Sequence, residues 1–163
     1  MNLKNKLDNS NTLEIEDKME FDYFFIIEKI GRKISQFGQK VLTEKNLDLT
    51  IDQWMVLKKV SECNGISQIE ICKSLFKDAP TVTKILDLLC KKELVERKIN
   101  ATDRRKFDIF ITKNGENIVE KFLPTYIETR KTVLDNLQIE DLYIMAHTLN
   151  GLSENMDKIT DKF

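Results

Sequence analysis

Between Leu49 and Thr112 three helix starts follow one another closely, and the hydrophobic period then changes from 3.6 to 2. Thr50 and Gln53 have the spacing of a capping box ahead of Trp54, Leu57 and Val60, and Ser67 and Glu70 repeat it. Asp78 is a third N-cap, with Pro80 in the first turn, where a missing N–H costs nothing, and Val82, Ile85, Leu86 and Leu89 on the inward side. The turn-forming "CNGI" separates the first two of these helices. "LVERKI" and "KFDIFIT" are β-compatible runs flanking "NATDRR", which reads as a hairpin with a polar, cationic tip.

Longer helical patterns bracket this region. Tyr23, Ile27, Ile30, Ile34, Phe37 and Val41 form one stripe from about Lys18 onward, widened near its start by Phe21, Phe24, Phe25 and Ile26. Residues 1–17 are polar and without a sustained period, and they read as a flexible tail. Thr112 is a cap for a helix through residue 137, in which Pro124 predicts a kink or break near 120–124. Met145, Leu149, Leu152, Met156 and Ile159 mark a final amphipathic helix. The expected organisation is a tail (1–17), a helical dimerisation region (18–46 and 114–163) and a winged helix-turn-helix domain (47–113).

The net charge of −1 conceals an uneven distribution: residues 1–78 carry −1, residues 79–113 carry +4 and residues 114–163 carry −4. A basic segment inside a near-neutral chain suits a local anion-binding surface, because attraction depends on the field at the contact. No apolar run approaches the ~20 residues of a membrane span, and the N-terminus lacks the apolar stretch of a signal peptide. A soluble, cytoplasmic protein is expected. Cys63, Cys72 and Cys90 are odd in number and without CxxC spacing, and His147, the single histidine, reads as a partly buried helix residue, so neither a disulfide framework nor a metal site is expected. No Ser/His/Asp, paired-carboxylate or glycine-rich phosphate signature points to an enzyme or a cofactor.

Two short helices joined by a tight turn, a third helix and a cationic hairpin make a winged helix-turn-helix, mainly α with a small β-wing. A helix fits the major groove of duplex DNA while a thin basic ribbon reaches the adjacent minor groove. "TVTKILDLLCKKELVER" followed by "TDRRKFDIFITKNG" resembles the recognition helix and wing of the MarR (multiple antibiotic resistance regulator) family of bacterial transcription regulators. The motif is Asp103, Arg105, Ile111, Thr112 and Gly115, and the resemblance covers about residues 20–160. It implies a homodimer whose first and last helices interlock and hold two winged domains over a pseudo-palindromic operator, with repression modulated by a small ligand.

The resemblance also implies the contacts. Arg105 is the wing-tip arginine that enters the minor groove and Asp103 the acid that braces it, while Arg104 and Lys106 face the DNA backbone. Pro80, Thr81, Thr83 and Lys84 fall at the N-terminal turns that enter the major groove, where threonine meets base edges, phosphate or a thymine methyl and lysine meets phosphate or guanine. Ser67 and Gln68 open the preceding helix, whose N–H groups suit a phosphate; for Ser67, capping alone is the other reading. Two departures stand out: Glu93 occupies a position where the family usually has glycine, and the wing lacks the proline often found there, which predicts a more mobile wing.

The family often binds small aromatic or lipophilic anions near the dimer helices. Tyr23, Phe24, Phe37 and Trp54 are candidates for such a pocket, or core residues. The cysteines raise thiol-based redox sensing as an alternative, although none lies near the start of the first long helix, where the family's peroxide-sensing cysteine is placed. A winged-helix module that binds an acidic protein partner through its wing is the alternative from another class.

Overall fold

The computed structural model describes residues 9–160, with side chains from residue 22 onward. Six helices and three short strands follow in the order α1 (Asn9–Glu44), α2 (Ile51–Glu62), β1 (Ile66–Ser67), α3 (Gln68–Leu75), α4 (Ala79–Lys91), β2 (Val95–Ile99), β3 (Phe107–Ile111), α5 (Lys113–Leu134) and α6 (Ile139–Thr160). The fold is thus mainly α with a small β-wing. The chain divides into two compact units between Val119 and Glu120.

The capping signals act where expected. Thr50 and Gln53 form a complete capping box on α2, Ser67 and Glu70 form another on α3, and Asp78 accepts from the Thr81 backbone at the start of α4. The turn between α3 and α4 passes through Phe76 in the left-handed region, at φ 50°. The strands form an antiparallel sheet in the order β1-β3-β2. Residue pairs Val95–Ile111, Arg97–Ile109 and Ile99–Phe107 face one another across the hairpin. β1 is only two residues long, too short for a period to be legible in the sequence.

The core of this lobe consists of Trp54, Val56, Leu57 and Val60 from α2, Ile71 from α3, Val82, Leu86 and Leu89 from α4, and Ile109 from β3, all fully buried. The C-terminal part of α1 joins it. Leu42 is fully buried, and Gln39 accepts from the Ile51 N–H at 2.9 Å and donates to the Leu49 carbonyl at 3.2 Å, fixing the entry to α2.

Three expectations need correction. The first helix begins at Asn9, not near Lys18, so the expected tail splits: residues 1–8 lie outside the described residues, and 9–17 continue α1. Extending an existing helix adds a hydrogen bond per residue, so a polar stretch without a period can still propagate it. Next, of the kink or break expected near Pro124 the break is absent, since α5 runs through it; proline there removes only one hydrogen-bond donor, and the turns on either side keep theirs. Finally, His147, expected to be partly buried, is exposed on α6.

Candidate nucleic-acid interface

On α4, burial of Val82, Ile85, Leu86 and Leu89 leaves Pro80, Lys84, Asp87 and Lys91 on the opposite, exposed side. Lys84 and Lys91 have no ion-pair partner among the described residues, so their charges are open to an incoming anion. Thr81 and Thr83 lie on the flanks, partly buried, and their hydroxyl protons are already committed. Thr81 Oγ1 donates to Asp78 at 2.8 Å, and Thr83 Oγ1 donates to the Ala79 carbonyl at 2.8 Å while accepting from Gln68 Nε2 at 2.7 Å.

The start of α3 is similarly self-contained. Ser67 Oγ donates to Glu70 Oε2 at 2.6 Å, and the Ser67 N–H meets the same carboxylate at 3.0 Å. The Ser67 hydrogen bonds hold the Glu70 carboxyl below its ordinary range, which keeps an anion at the helix start where a phosphate had been expected to sit. Asp78 is lowered in the same sense by the Thr81 backbone and hydroxyl.

The wing presents its cations outward. The Arg105 side chain is 91 % exposed. Asp103 Oδ1 accepts from the Arg105 backbone N–H at 3.1 Å and from its Nε at 3.3 Å, and Lys106 Nζ lies 3.5 Å from the other carboxylate oxygen. The Arg105 backbone bond, ahead of the side-chain bond, holds the Asp103 carboxyl below its ordinary value. Asp103 therefore shapes the turn first and steers the guanidinium second. Arg104 is exposed beside them.

In place of proline, the wing is organised by Asn100. Its Oδ1 accepts from the N–H groups of Thr102 and Asp103 at 3.0 and 2.9 Å, while its Nδ2 donates to Asp108. Backbone bonds from Asn100 N to the Lys106 carbonyl and from Lys106 N to the Asp103 carbonyl close the hairpin.

The motif's last members hold the wing against α4 and α5. Thr112 Oγ1 donates to the Glu93 carbonyl at 2.6 Å and accepts from the Gly115 N–H at 3.1 Å. A Cβ at Gly115 would lie 2.2 Å from the Leu94 carbonyl oxygen, so the close approach itself requires glycine. Glu93 adopts the left-handed conformation, φ 55°, and a Schellman arrangement ends α4: Glu93 N–H to the Cys90 carbonyl and Leu94 N–H to that of Leu89.

Two residues that sequence reasoning missed fix the pitch of α4. Arg97 on β2 pairs with Asp87 at 2.7 Å and donates to the Thr83 carbonyl at 3.4 Å. The available signal was position: Arg97 shares a strand face with buried Val95, and a cation there requires a partner. The aromatic candidates fall in different surroundings. Trp54 is fully buried, whereas Tyr23, Phe24 and Phe37 lie exposed on α1. Cys63 is exposed and Cys72 and Cys90 partly buried; burial pushes the Cys90 thiol up, away from a reactive thiolate.

This arrangement is that of a winged helix-turn-helix protein, with an exposed recognition-type helix beside a cationic hairpin. Residues 49–107 match the MarR family model. Among solved structures, S. aureus MepR in a DNA complex is similar at 26 % identity, with 82 % of this chain and 97 % of that one covered and a TM-score of 0.74. A MarR/EmrR family transcriptional regulator from Acinetobacter sp. ADP1 (19 % identity, 86 % and 98 % covered, TM-score 0.78) and a MarR protein from Peptoclostridium difficile (20 %, 97 % and 94 %, 0.74) share the fold. The winged lobe, residues 49–107, carries the match to the MarR family.

Proposed function

We propose that this chain is a dimeric, sequence-specific, DNA-binding transcription regulator of the cytoplasm, a repressor modulated by a small ligand, and not an enzyme. The observation that carries this reading is the exposed cationic set Lys84, Arg104, Arg105 and Lys106 on α4 and the wing, presented by a MarR-family lobe. The similar S. aureus MepR structure is a DNA complex, which favours the same use of the lobe. In this reading α4 lies in the major groove, with Pro80 and the two threonines at its entering end, and Arg105 reaches the minor groove. Gln68 acts by holding α3 to α4 and Ser67 by capping α3, both at a helix start close to phosphate.

Exposed apolar side chains support the dimer. Tyr23, Phe24, Phe25, Ile26, Ile27, Ile30, Ile34 and Phe37 on α1 are each 40–57 % exposed. Tyr143, Ile144, Met145, Leu149, Met156 and Ile159 on α6 are 42–70 % exposed. A monomer rarely leaves so much apolar surface in water, and an interface of about 2,000 Å² would cover it. No helix among the described residues is long and apolar enough to cross a membrane, so a bilayer-spanning role for these helices has no support. The ligand in this reading is a small aromatic or lipophilic anion that meets Tyr23, Phe24 and Phe37, while enclosed Trp54 serves as packing.

Selection of bound fragments from random duplex DNA tests the reading. A recovered pseudo-palindrome is the expected outcome, with affinity that falls steeply as salt rises. Failure to enrich any duplex sequence contradicts it.

A further inference from the structure

The hydrogen bonding of Thr83 limits what it can read. Its hydroxyl proton points back to the Ala79 carbonyl at 2.8 Å, and Gln68 Nε2, reaching across from α3, donates to the same oxygen at 2.7 Å. A hydroxyl has one proton to give and two lone pairs, so Thr83 has no donor left and only one acceptor position. Gln68 also reaches the Ala79 carbonyl at 3.3 Å, tying both side chains to one backbone oxygen. Freeing the Thr83 proton breaks the bond to Ala79, and rotating the whole side chain breaks the one from Gln68 as well. Arg97, donating to the Thr83 carbonyl, holds the backbone of the same residue from the wing side. The part of Thr83 left without a polar partner is its Cγ2 methyl.

We infer that Thr83 is a specificity residue that recognises a thymine 5-methyl group through its own methyl, and that Gln68 is a positioning residue that fixes Thr83 in that presentation. The inference rests on the DNA-binding reading above and adds the chemistry of one contact. In the major groove only thymine offers a methyl group, so an apolar contact there discriminates it from the other bases. Thr81 does not share this fixation: its hydroxyl donates to Asp78 but, among the described residues, receives no hydrogen bond from a neighbouring helix.

The test uses a duplex recovered by selection, with each thymine of a half-site replaced in turn by deoxyuridine, which differs only in lacking the methyl group. The unaltered protein is expected to lose about fourfold in affinity at one thymine per half-site, the value of one buried methyl. Thr83→Val, which keeps a methyl and removes the hydroxyl, retains that penalty. Thr83→Ser, which keeps the hydroxyl and removes the methyl, abolishes it. Gln68→Ala, assayed well below its melting temperature and as an intact dimer, reduces the penalty at the same position while penalties at other thymines persist. The inference is overturned if no thymine shows a penalty, or if Thr83→Ser retains it and Thr83→Val loses it, which would assign the contact to the hydroxyl. Because the unaltered duplex is measured alongside, loss of all binding by the unaltered protein identifies failure of the DNA reading itself.

Discussion

The winged lobe and the long helices treat their apolar side chains in opposite ways. In the lobe, Trp54, Leu57, Ile71, Leu86 and Ile109 form a fully enclosed core within a single chain, although Ile69, Phe76, Leu88, Ile99 and Phe107 at its surface stay 46–87 % exposed. Along α1 and α6, residues of the same chemical type, such as Ile30, Ile34, Leu149 and Met156, stay 42–51 % exposed. The lobe thus encloses a core of its own, whereas the helices carry apolar surface that the proposed dimer would cover. In the proposed function the difference separates a surface that recognises from a surface that assembles.

The largest expected effect comes from breaking the assembling surface. Ile34→Glu places a carboxylate on apolar area that the proposed dimer would bury, and two-fold symmetry applies the cost twice. Dimer dissociation measured by sedimentation should rise more than 100-fold, about 3 kcal/mol or more. A variant with unaltered self-association would remove α1 from the interface.

The next effect strikes the lobe alone. Gly115→Ala puts a methyl carbon against the Leu94 carbonyl oxygen, and the wing must move away from α5 or the chain must strain. A loss of about 2–3 kcal/mol in denaturant unfolding is expected, as for overpacked cores. The dimer contacts of α1 should be untouched, so a loss confined to self-association would reverse the division drawn between the two regions.

Much of this was legible in the residues. The three caps, the change of period and the Asp103 to Gly115 motif placed α2, α3, α4 and the hairpin correctly, because each signal is local and each cap bonds within three residues. What stayed hidden depends on contacts between elements. Gln68 to Thr83 and Arg97 to Asp87 join residues distant in sequence, and these pairs decide which side chains remain free to contact DNA. Lys84 and Arg105 were legible as cations, and both stand exposed. The use of the threonine hydroxyls within the lobe was not, because donor commitment is a property of packing.

A smaller effect, of opposite sign, concerns the departure at Glu93. With φ at 55°, a residue bearing a Cβ sits in the conformation that glycine adopts freely. Glu93→Gly should stabilise the lobe by about 1 kcal/mol, offset in part by the greater freedom of glycine in the unfolded chain. Thermal melting of the lobe transition checks this; a lowered melting temperature would mean that the side chain itself contributes to the end of α4.

The central claim is that two copies, joined through their helices, present two winged lobes to one duplex. Its most direct measurement compares affinity for a selected palindromic duplex with that for the same duplex after one half-site has been scrambled. The account predicts one dimer per palindrome and a loss of at least about 100-fold on the scrambled duplex, since the second lobe no longer binds at the high effective concentration set by the first. Equal affinity for the two duplexes, or binding as a single chain, would contradict it.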